Sequence, residues 1–143
     1  MDITYTNTIT VEQYNSLRKA VGWNEIQEDL AERGLHNSAF LIVLANGGVP
    51  FGMARVITDY GYIVLISDVV VHPDYQGKGY GREIMEKVME YINGSIAPGQ
   101  MKMINLMAAQ GKEGFYKKFG FLERPYEGKG AGMSQWISGD RIF

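Results

Sequence analysis

One run of the sequence, residues 63–71, is apolar almost without interruption and constrains the fold more than any other segment. It reads IVLISDVVV, whereas a strand with one solvent-exposed face would alternate apolar and polar residues. The run therefore predicts the central strand of a sheet that is covered on both faces. Asp68 is the exception within it, because burying an unpaired carboxylate is costly. This carboxylate must have a partner, face a cavity or be neutral.

The segments around this strand predict a single mixed α/β (α+β) domain over residues 1–143. Thr10 is a candidate N-cap for a first helix that Gly22 ends, and a second helix is expected at residues 25–32, ended by Gly34. Turn sequences at 46–48 and 59–61 favour antiparallel hairpins between three strands. The expected order is β-α-α-β-β-β-α-β-α-β-β, with strands at residues 3–7, 39–45, 51–58, 62–71 and 101–109 and two in the tail 121–137, and later helices at 82–92 and 113–119.

Composition excludes several classes of function. The net charge of -2 and the pI of about 5.7 provide no basic face, so nucleic acid is not an expected partner. The sequence has no cysteine, which removes disulfides, thiolate nucleophiles and Cys-ligated zinc. His36 and His72 lack metal-ligand spacing, so no metal is expected. With no signal-peptide pattern and no apolar run of roughly 20 residues, the expectation is a cytoplasmic protein without a membrane partner.

A glycine-rich loop, residues 76–81 with the sequence QGKGYG, lies between the central strand and an amphipathic helix. Glycines at alternate positions allow a tight turn that presents consecutive N–H groups at a helix N-terminus, where phosphate binds. Lys78 and Arg82 add positive charge. The spacing matches neither the dinucleotide fingerprint, whose third glycine would fall at Arg82, nor the P-loop. The loop predicts a phosphate or pyrophosphate site of another kind; the alternative is a glycine-rich turn without a ligand.

Two motifs resemble those of the GNAT superfamily of N-acetyltransferases. Residues 69–81, VVVHPDYQGKGYG, are similar to its coenzyme A signature, and residues 114–121, GFYKKFGF, to its second motif. The resemblance implies the GNAT fold, a mixed and mostly antiparallel sheet with splayed central strands, and acetyl-CoA as cosubstrate. It also implies that the backbone of Val69 and Val71 binds the pantetheine arm. The alternative is that these valines only pack in the core. The implied coenzyme-contacting residues are Val69, Val70, Val71, Gln76, Gly77, Lys78, Gly79, Tyr80, Gly81, Arg82, Phe115 and Lys118; the alternative for Lys118 is a solvated helix lysine.

Two residues are candidates for the chemistry. The resemblance places Tyr116 beside the sulfur, and a phenol with a pKa of about 10 suits a thiolate leaving group. The alternative for Tyr116 is the aromatic face of a short helix. Asp68 is a candidate for amine binding or for the base, because residues 66–71 are similar to the strand of glucosamine-phosphate acetyltransferases, where an Asp lies at the substrate site. The alternatives are a carboxylate bound to nearby loop backbone, and deprotonation of the amine through water.

The expected acceptor is a primary amine on a small molecule, acetylated by direct attack in a ternary complex. Substrate candidates are Trp23, Arg55, Tyr62 and Met133, each of which could instead be a packing or surface residue. Arg55 could also form an ordinary ion pair with Asp59. The alternative functions are a protein or peptide lysine or N-terminal acetyltransferase, and a non-catalytic acyl-CoA-binding module. Homodimers are common in the family, so a homodimer is a possible assembly.

Overall fold

The computed structural model describes residues 1–140. Two compact units are distinguished, one from Met1 to Leu106 and one from Met107 onward, and they are described separately; one domain over residues 1–143 stays a prediction. No helix among residues 1–140 is both long enough and apolar enough to cross a membrane. The elements are β1 (Ile3–Thr6), α1 (Val11–Ala20), α2 (Glu28–His36), β2 (Phe40–Asn46), β3 (Val49–Thr58), β4 (Ile63–Val71), a 3₁₀ turn (Pro73–Tyr75), α3 (Tyr80–Gly94), β5 (Met103–Leu106) and α4 (Glu113–Lys117).

The strands of the first unit form one five-stranded sheet in the order β1-β2-β3-β4-β5. Strands β1 to β4 are antiparallel neighbours, whereas β4 and β5 are parallel and are connected through α3. The mixed, mostly antiparallel sheet expected from the sequence is therefore confirmed. Gly47 and Gly48, in the turn between β2 and β3, have φ values of 57° and 83°, as the tight hairpin requires.

The pairing of β4 with β5 stops before the end of β4. The last paired residues are Ile66 and Leu106, whereas β4 continues to Val71. The second half of β4 thus extends beyond its parallel neighbour, in agreement with the splayed central strands that were expected. The backbone of residues 67–71 has no ladder partner on that side among residues 1–140.

Both faces of the sheet are covered, as the apolar run of β4 predicts. On one face, Val43, Met53 and Val70 pack with residues of α1 and α2. On the other face, α3 buries Ile84, Met85, Val88 and Ile92. Gly52 of β3 lets α3 approach closely, because a Cβ there would lie 3.1 Å from Cδ1 of Ile84.

The ends of the first two helices differ in how well the sequence predicts them. Thr10 caps α1 as expected: its hydroxyl accepts from the Gln13 N–H at 3.1 Å, and the Gln13 side chain accepts from the Thr10 N–H at 3.0 Å. The prediction for α2 was wrong at both ends, since the helix runs from Glu28 to His36. Gly34 lies inside it because a side chain of β3, Arg55, packs there and donates to the Gly34 carbonyl.

The two strands predicted in the tail are absent from the described residues. Residues 121–140 contain only an isolated bridge between Tyr126 and Lys129. Met133 and Trp136 are 93% and 81% exposed, so their apolar side chains gain no sheet face against which to pack. Alternation alone does not stabilise a strand without such a face, and the glycines of residues 128–132 add an entropic cost to an extended conformation.

Candidate functional site

The glycine loop joins β4 to α3 with a backbone conformation that requires glycine. Gly77 and Gly79 have φ values of 75° and 89°, and Gly79 is the N-cap of α3. Other residues adopt this left-handed region at a cost of about 1–2 kcal/mol. A Cβ at either position would meet no atom within 4 Å, so the backbone conformation, and not crowding, selects glycine.

The N–H groups of residues 77–82 find no acceptor within the part of the chain that the structure describes. The first backbone bond into α3 runs from the N–H of Glu83 to the Gly79 carbonyl, at 3.1 Å. These consecutive donors lie at the N-terminal end of a 15-residue helix, where the helix dipole is positive. The arrangement is chemically suited to an anion such as a pyrophosphate.

Side chains at the N-terminal end of the loop hold it against the sheet. The Gln76 side-chain amide donates to the Val71 carbonyl at 2.8 Å. The Tyr75 ring stacks on Phe51 of β3 with centroids 4.0 Å apart, and its hydroxyl accepts from the Asn46 side chain at 3.0 Å. The loop is therefore anchored to three strand ends.

The charged side chains of the loop region extend into solvent. Lys78 is exposed and its ammonium lies 5.8 Å from the Tyr75 ring centroid. Arg82 is also exposed and lies 3.6 Å from the Glu86 carboxylate, a surface pair that contributes little to stability. Tyr80 packs edge-on against Phe51 at 4.9 Å. Lys78 and Arg82 can therefore turn toward an anion at small cost.

Strand β4 carries a β-bulge at Asp68. Arg55 of β3 pairs with Ser67 and Met53 pairs with Val70, so β4 has one residue more than β3 between these pairs. Asp68 has a φ of 54°, which is uncommon for a residue other than glycine, although Asp tolerates it better than most. A bulge redirects the backbone groups next to it. Val69 and Val71 follow the bulge, in the part of β4 beyond its pairing with β5.

The Asp68 carboxylate is buried and receives three hydrogen bonds. Oδ1 accepts from Arg18 Nη1 at 2.9 Å, and Oδ2 accepts from Arg55 Nε at 2.7 Å and from the Tyr14 hydroxyl at 2.7 Å. The side chain of Asp68 is only 9% exposed. The carboxylate therefore has partners, and they are side chains of α1 and β3 rather than loop backbone. Tyr14, Arg18, Arg55 and Asp68 are called the Asp68 cluster below.

The ion pair between Arg55 and Asp59, the alternative to a substrate role for Arg55, does not form. Arg55 points toward Asp68 and donates through Nη1 to the Gly34 carbonyl at 3.1 Å. Asp59 instead accepts from the N–H of Gly61 at 2.8 Å within the turn before β4. The two side chains stand on β3 and in a surface turn, so closeness in sequence was a poor guide.

The other bonds of the Asp68 cluster tie it to the N-terminal helices. Arg18 Nε donates to the Asn24 carbonyl at 2.6 Å.

Burial, and then the charge of Asp68, raise the pKa of Tyr14 to about 12. Tyr14 therefore stays a hydrogen-bond donor at neutral pH. A sequence signal for this cluster existed, because Tyr14 and Arg18 are four residues apart on one face of α1, but it did not identify Asp68 as their partner.

The remaining substrate candidates lie in different places. Trp23 packs against the core formed by α1, α2 and the sheet, and its ring lies 5.4 Å from Arg18 Cζ. The structure thus brings Trp23 and Arg55 to the Asp68 cluster. Tyr62 lies at the end of β4 opposite the glycine loop and is 61% exposed. Met133 is an exposed residue of the second unit.

In the second unit, Tyr116 lies on the short helix α4 and is buried. Its ring packs edge-on against Phe115 at 5.0 Å and against Phe121 at 6.4 Å between centroids. Burial raises the pKa of the Tyr116 hydroxyl above its usual range. The hydroxyl is therefore protonated at neutral pH and can act as a proton donor. Lys118, which follows α4, is exposed.

An open cleft of about 880 Å³ lies elsewhere in the first unit. It is bounded by the loop after β1, by α2 and by the start of β2, and Ile9, Glu32 and Phe40 are among its lining residues. It includes none of the residues that the sequence predicts to bind the coenzyme or the substrate. The glycine loop and the β4 bulge are therefore the better candidate site.

Comparison with known proteins identifies relatives. The acetyltransferase (GNAT) domain family matches residues 36–123. The uncharacterized N-acetyltransferase ycf52 of Pyropia yezoensis is 32% identical over 127 residues, which cover 85% of this chain and 70% of that protein. Chloroplastic serotonin N-acetyltransferase 2 of Oryza sativa subsp. japonica is 30% identical over 121 residues, 82% of this chain and 58% of that protein. The crystal structure of a probable acetyltransferase from meticillin-resistant Staphylococcus aureus is 34% identical, covers 94% of this chain and 99% of its own, and superposes with a TM-score of 0.84.

Proposed function

The chain belongs to the GNAT family of acetyltransferases, and from this premise we propose that it transfers the acetyl group of acetyl-CoA to a primary amine on a small molecule. The observation that carries the proposal is the glycine loop. Its N–H groups at residues 77–82 have no acceptor among the described residues, and they suit the pyrophosphate of the coenzyme. The part of β4 beyond Ile66 offers an unpaired edge along which the pantetheine arm can lie beside Val69 and Val71.

The proposed reaction is a direct attack in a ternary complex. The uncharged amine attacks the thioester carbonyl carbon, the C–N bond forms and the C–S bond breaks. The N–H of Val69 is proposed to stabilise the developing oxyanion. The departing thiolate takes the proton of the Tyr116 hydroxyl, and the proton that the amine loses passes to water. The sequence has no cysteine that could carry the acetyl group.

The acceptor class rests on a relative's name. The rice relative, matched over 82% of this chain, is named for serotonin, a small molecule with one primary amine. A Glycine max relative named as a histone acetyltransferase is matched over 55% of this chain, so the longer match favours a small acceptor. Trp23 and Arg55 are the candidates for acceptor contact that lie at the Asp68 cluster. Lysine peptides, peptide N-termini and the absence of any acceptor are the competing outcomes.

The acceptor proposal is tested by a screen in three arms. Small primary amines, lysine-containing peptides and peptides with free N-termini are each incubated with acetyl-CoA, and the release of free thiol is measured. Mass spectrometry then identifies the acetylated product. The proposal expects the largest kcat/KM in the small-amine arm; a larger value in either peptide arm would reassign the acceptor.

A further inference from the structure

The Asp68 cluster places three charged side chains in a nearly dry environment. The side chains of Arg18, Arg55 and Asp68 are 10%, 16% and 9% exposed. Among the described residues, no buried side-chain nitrogen or oxygen lacks a hydrogen-bond partner. A buried ionic group of this kind is stable only while its partners stay in place, and removing one partner is strongly destabilising. The cluster therefore fixes the position of every group that it contains.

This bonding leaves Asp68 poorly placed to take a proton from a substrate. Oδ2 already accepts two hydrogen bonds, and Oδ1 is bound by Arg18. A carboxylate oxygen accepts about two hydrogen bonds, so an incoming amine would find one free position at most. Protonation of Asp68 would also leave two guanidinium groups without their anion.

Asp68, which the cluster holds, has a left-handed backbone with a φ of 54°. An extended conformation at Asp68 would abolish the bulge, so that β4 would pair with β3 without an extra residue. Loss of the bulge shifts the register by one residue, and such a shift moves every following side chain to the opposite face. Val70, which is 4% exposed in the core, and its neighbours Val69 and Val71 would then exchange faces.

We propose that Asp68 is a positioning residue: the three hydrogen bonds from Tyr14, Arg18 and Arg55 hold the β4 bulge and so orient the Val69–Val71 backbone toward the thioester. This inference rests on the proposed function, because it assigns the backbone a task in acetyl transfer. Under this proposal Asp68 holds the bulge instead of acting as a base, and Tyr14 shares that role. Loss of either side chain should therefore have the same effect as loss of both.

A double-mutant cycle tests this expectation. Tyr14→Phe removes one hydrogen bond, and Asp68→Asn removes the charge while keeping the size and the tolerance of a left-handed backbone. Each single variant is expected to lower kcat about 10-fold, and the double variant no further than the worse single one. The dissociation constant of acetyl-CoA, from calorimetry, is expected to change by a smaller factor than kcat, because the glycine loop is intact and only the pantetheine contacts at β4 are disturbed. Asp29→Asn is the matched control, since Asp29 pairs with Arg33 on the surface, and its kcat should be unchanged.

Hydrogen exchange of the Val70 and His72 amides, which pair with β3 beyond the bulge, followed by NMR without any acceptor, separates this proposal from the proposed function. Both variants are expected to exchange about 10-fold faster at these amides, and Asp29→Asn is not.

Unchanged exchange would overturn the proposal even if the protein is an active transferase. Additive losses of kcat would overturn it as well, as would a Tyr14→Phe variant of full activity beside an inactive Asp68→Asn, the pattern of a catalytic base. A wild-type protein without transferase activity would refute the proposed function, while amide exchange would still decide whether the cluster holds the bulge.

Discussion

At the scale of single residues, Tyr14 shows how one hydroxyl can make stability depend on pH. Burial and the Asp68 carboxylate raise its pKa in the folded chain to about 12, compared with about 10 in the unfolded chain. The unfolded chain therefore loses this proton first as the pH rises. Tyr14 therefore stabilises the fold by its full amount below about pH 10, and this stabilisation is lost as the pH rises toward 12.

Comparison with Tyr14→Phe isolates this contribution from other groups that titrate at high pH. The wild type should exceed the variant in free energy of unfolding by a constant amount up to about pH 10, and this excess should shrink by about 2 kcal/mol toward pH 12. Urea unfolding at several pH values between about 8 and 11.5 measures it. An excess that stays constant over that range would show that Tyr14 is not held as a donor to Asp68.

Tyr116 carries the proposed acid, and its burial keeps the hydroxyl protonated. Tyr116→Phe removes the proton donor while keeping the ring, so kcat is expected to fall about 100-fold. The dissociation constant of acetyl-CoA should not change. Tyr60→Phe, at an exposed turn position, is the control and should retain full kcat. Full turnover by Tyr116→Phe under saturating substrates would assign Tyr116 to aromatic packing alone.

Residue identity predicted the conformation of the glycine loop better than the contacts of the Asp68 cluster. Glycines at positions 77 and 79 predict a left-handed backbone there, because few other residues adopt this conformation. Two of the three partners of Asp68 lie 50 and 54 positions away on α1, and composition does not encode such pairings. The unusual Asp in an apolar strand indicated that a partner existed, but the packing of α1 on the sheet decided which one.

At the scale of elements, the glycine loop can be tested against a turn of similar backbone conformation. Gly79→Ala and Gly48→Ala both place a Cβ at a positive φ, 89° and 83°, with no atom within 4 Å. Each should destabilise the fold by about 1 kcal/mol. Only Gly79→Ala should weaken acetyl-CoA binding, by about 10-fold, because it alters the loop N–H groups. Calorimetry and thermal unfolding measure the two effects, and equal binding by both variants would contradict the assignment of the loop.

A second control comes from the other end of α3. Gly94, the last residue of this helix, has a Cβ position that meets nothing within 4 Å and no positive φ. Gly94→Ala should stabilise the fold by up to about 1 kcal/mol through helix propensity. Acetyl-CoA binding should be unchanged. A loss of affinity in this variant would mean that α3 as a whole, and not its N-terminal loop, controls binding.

Elements with strong local signals were predicted well, and those that depend on distant partners were not. Strand β4, the cap at Thr10 and the hairpin at residues 46–49 carry their own signals of burial, capping and turn conformation. Helix α2 was misplaced because Gly34, a usual helix terminator, is here the site where Arg55 packs. The tail at residues 121–137 has strand-like composition without a ladder in the described residues, so its pattern was misleading.

At the scale of the whole molecule, the order of elements up to α4 and the family are established, whereas the acceptor is not encoded in any motif. The fold is shared with the Staphylococcus aureus structure at a TM-score of 0.84, and the same fold supports different functions. The proposed coenzyme site rests on backbone conformation, which local sequence predicts. The proposed acceptor site rests on side chains from several elements, and their arrangement follows only from the packed structure.

The most direct test of the central claim compares acetyl-CoA with a donor that lacks the group that the glycine loop is proposed to bind. S-acetylpantetheine carries the same thioester as acetyl-CoA but lacks the pyrophosphate and the 3′-phosphoadenosine attached to it. With an acceptor amine from the screen, thiol release should be amine-dependent, and kcat/KM for acetyl-CoA should exceed that for S-acetylpantetheine by about 100-fold or more. Gly79→Ala should reduce this ratio. Equal kcat/KM for the two donors, or binding of acetyl-CoA with no thiol release for any amine or peptide, would contradict the account.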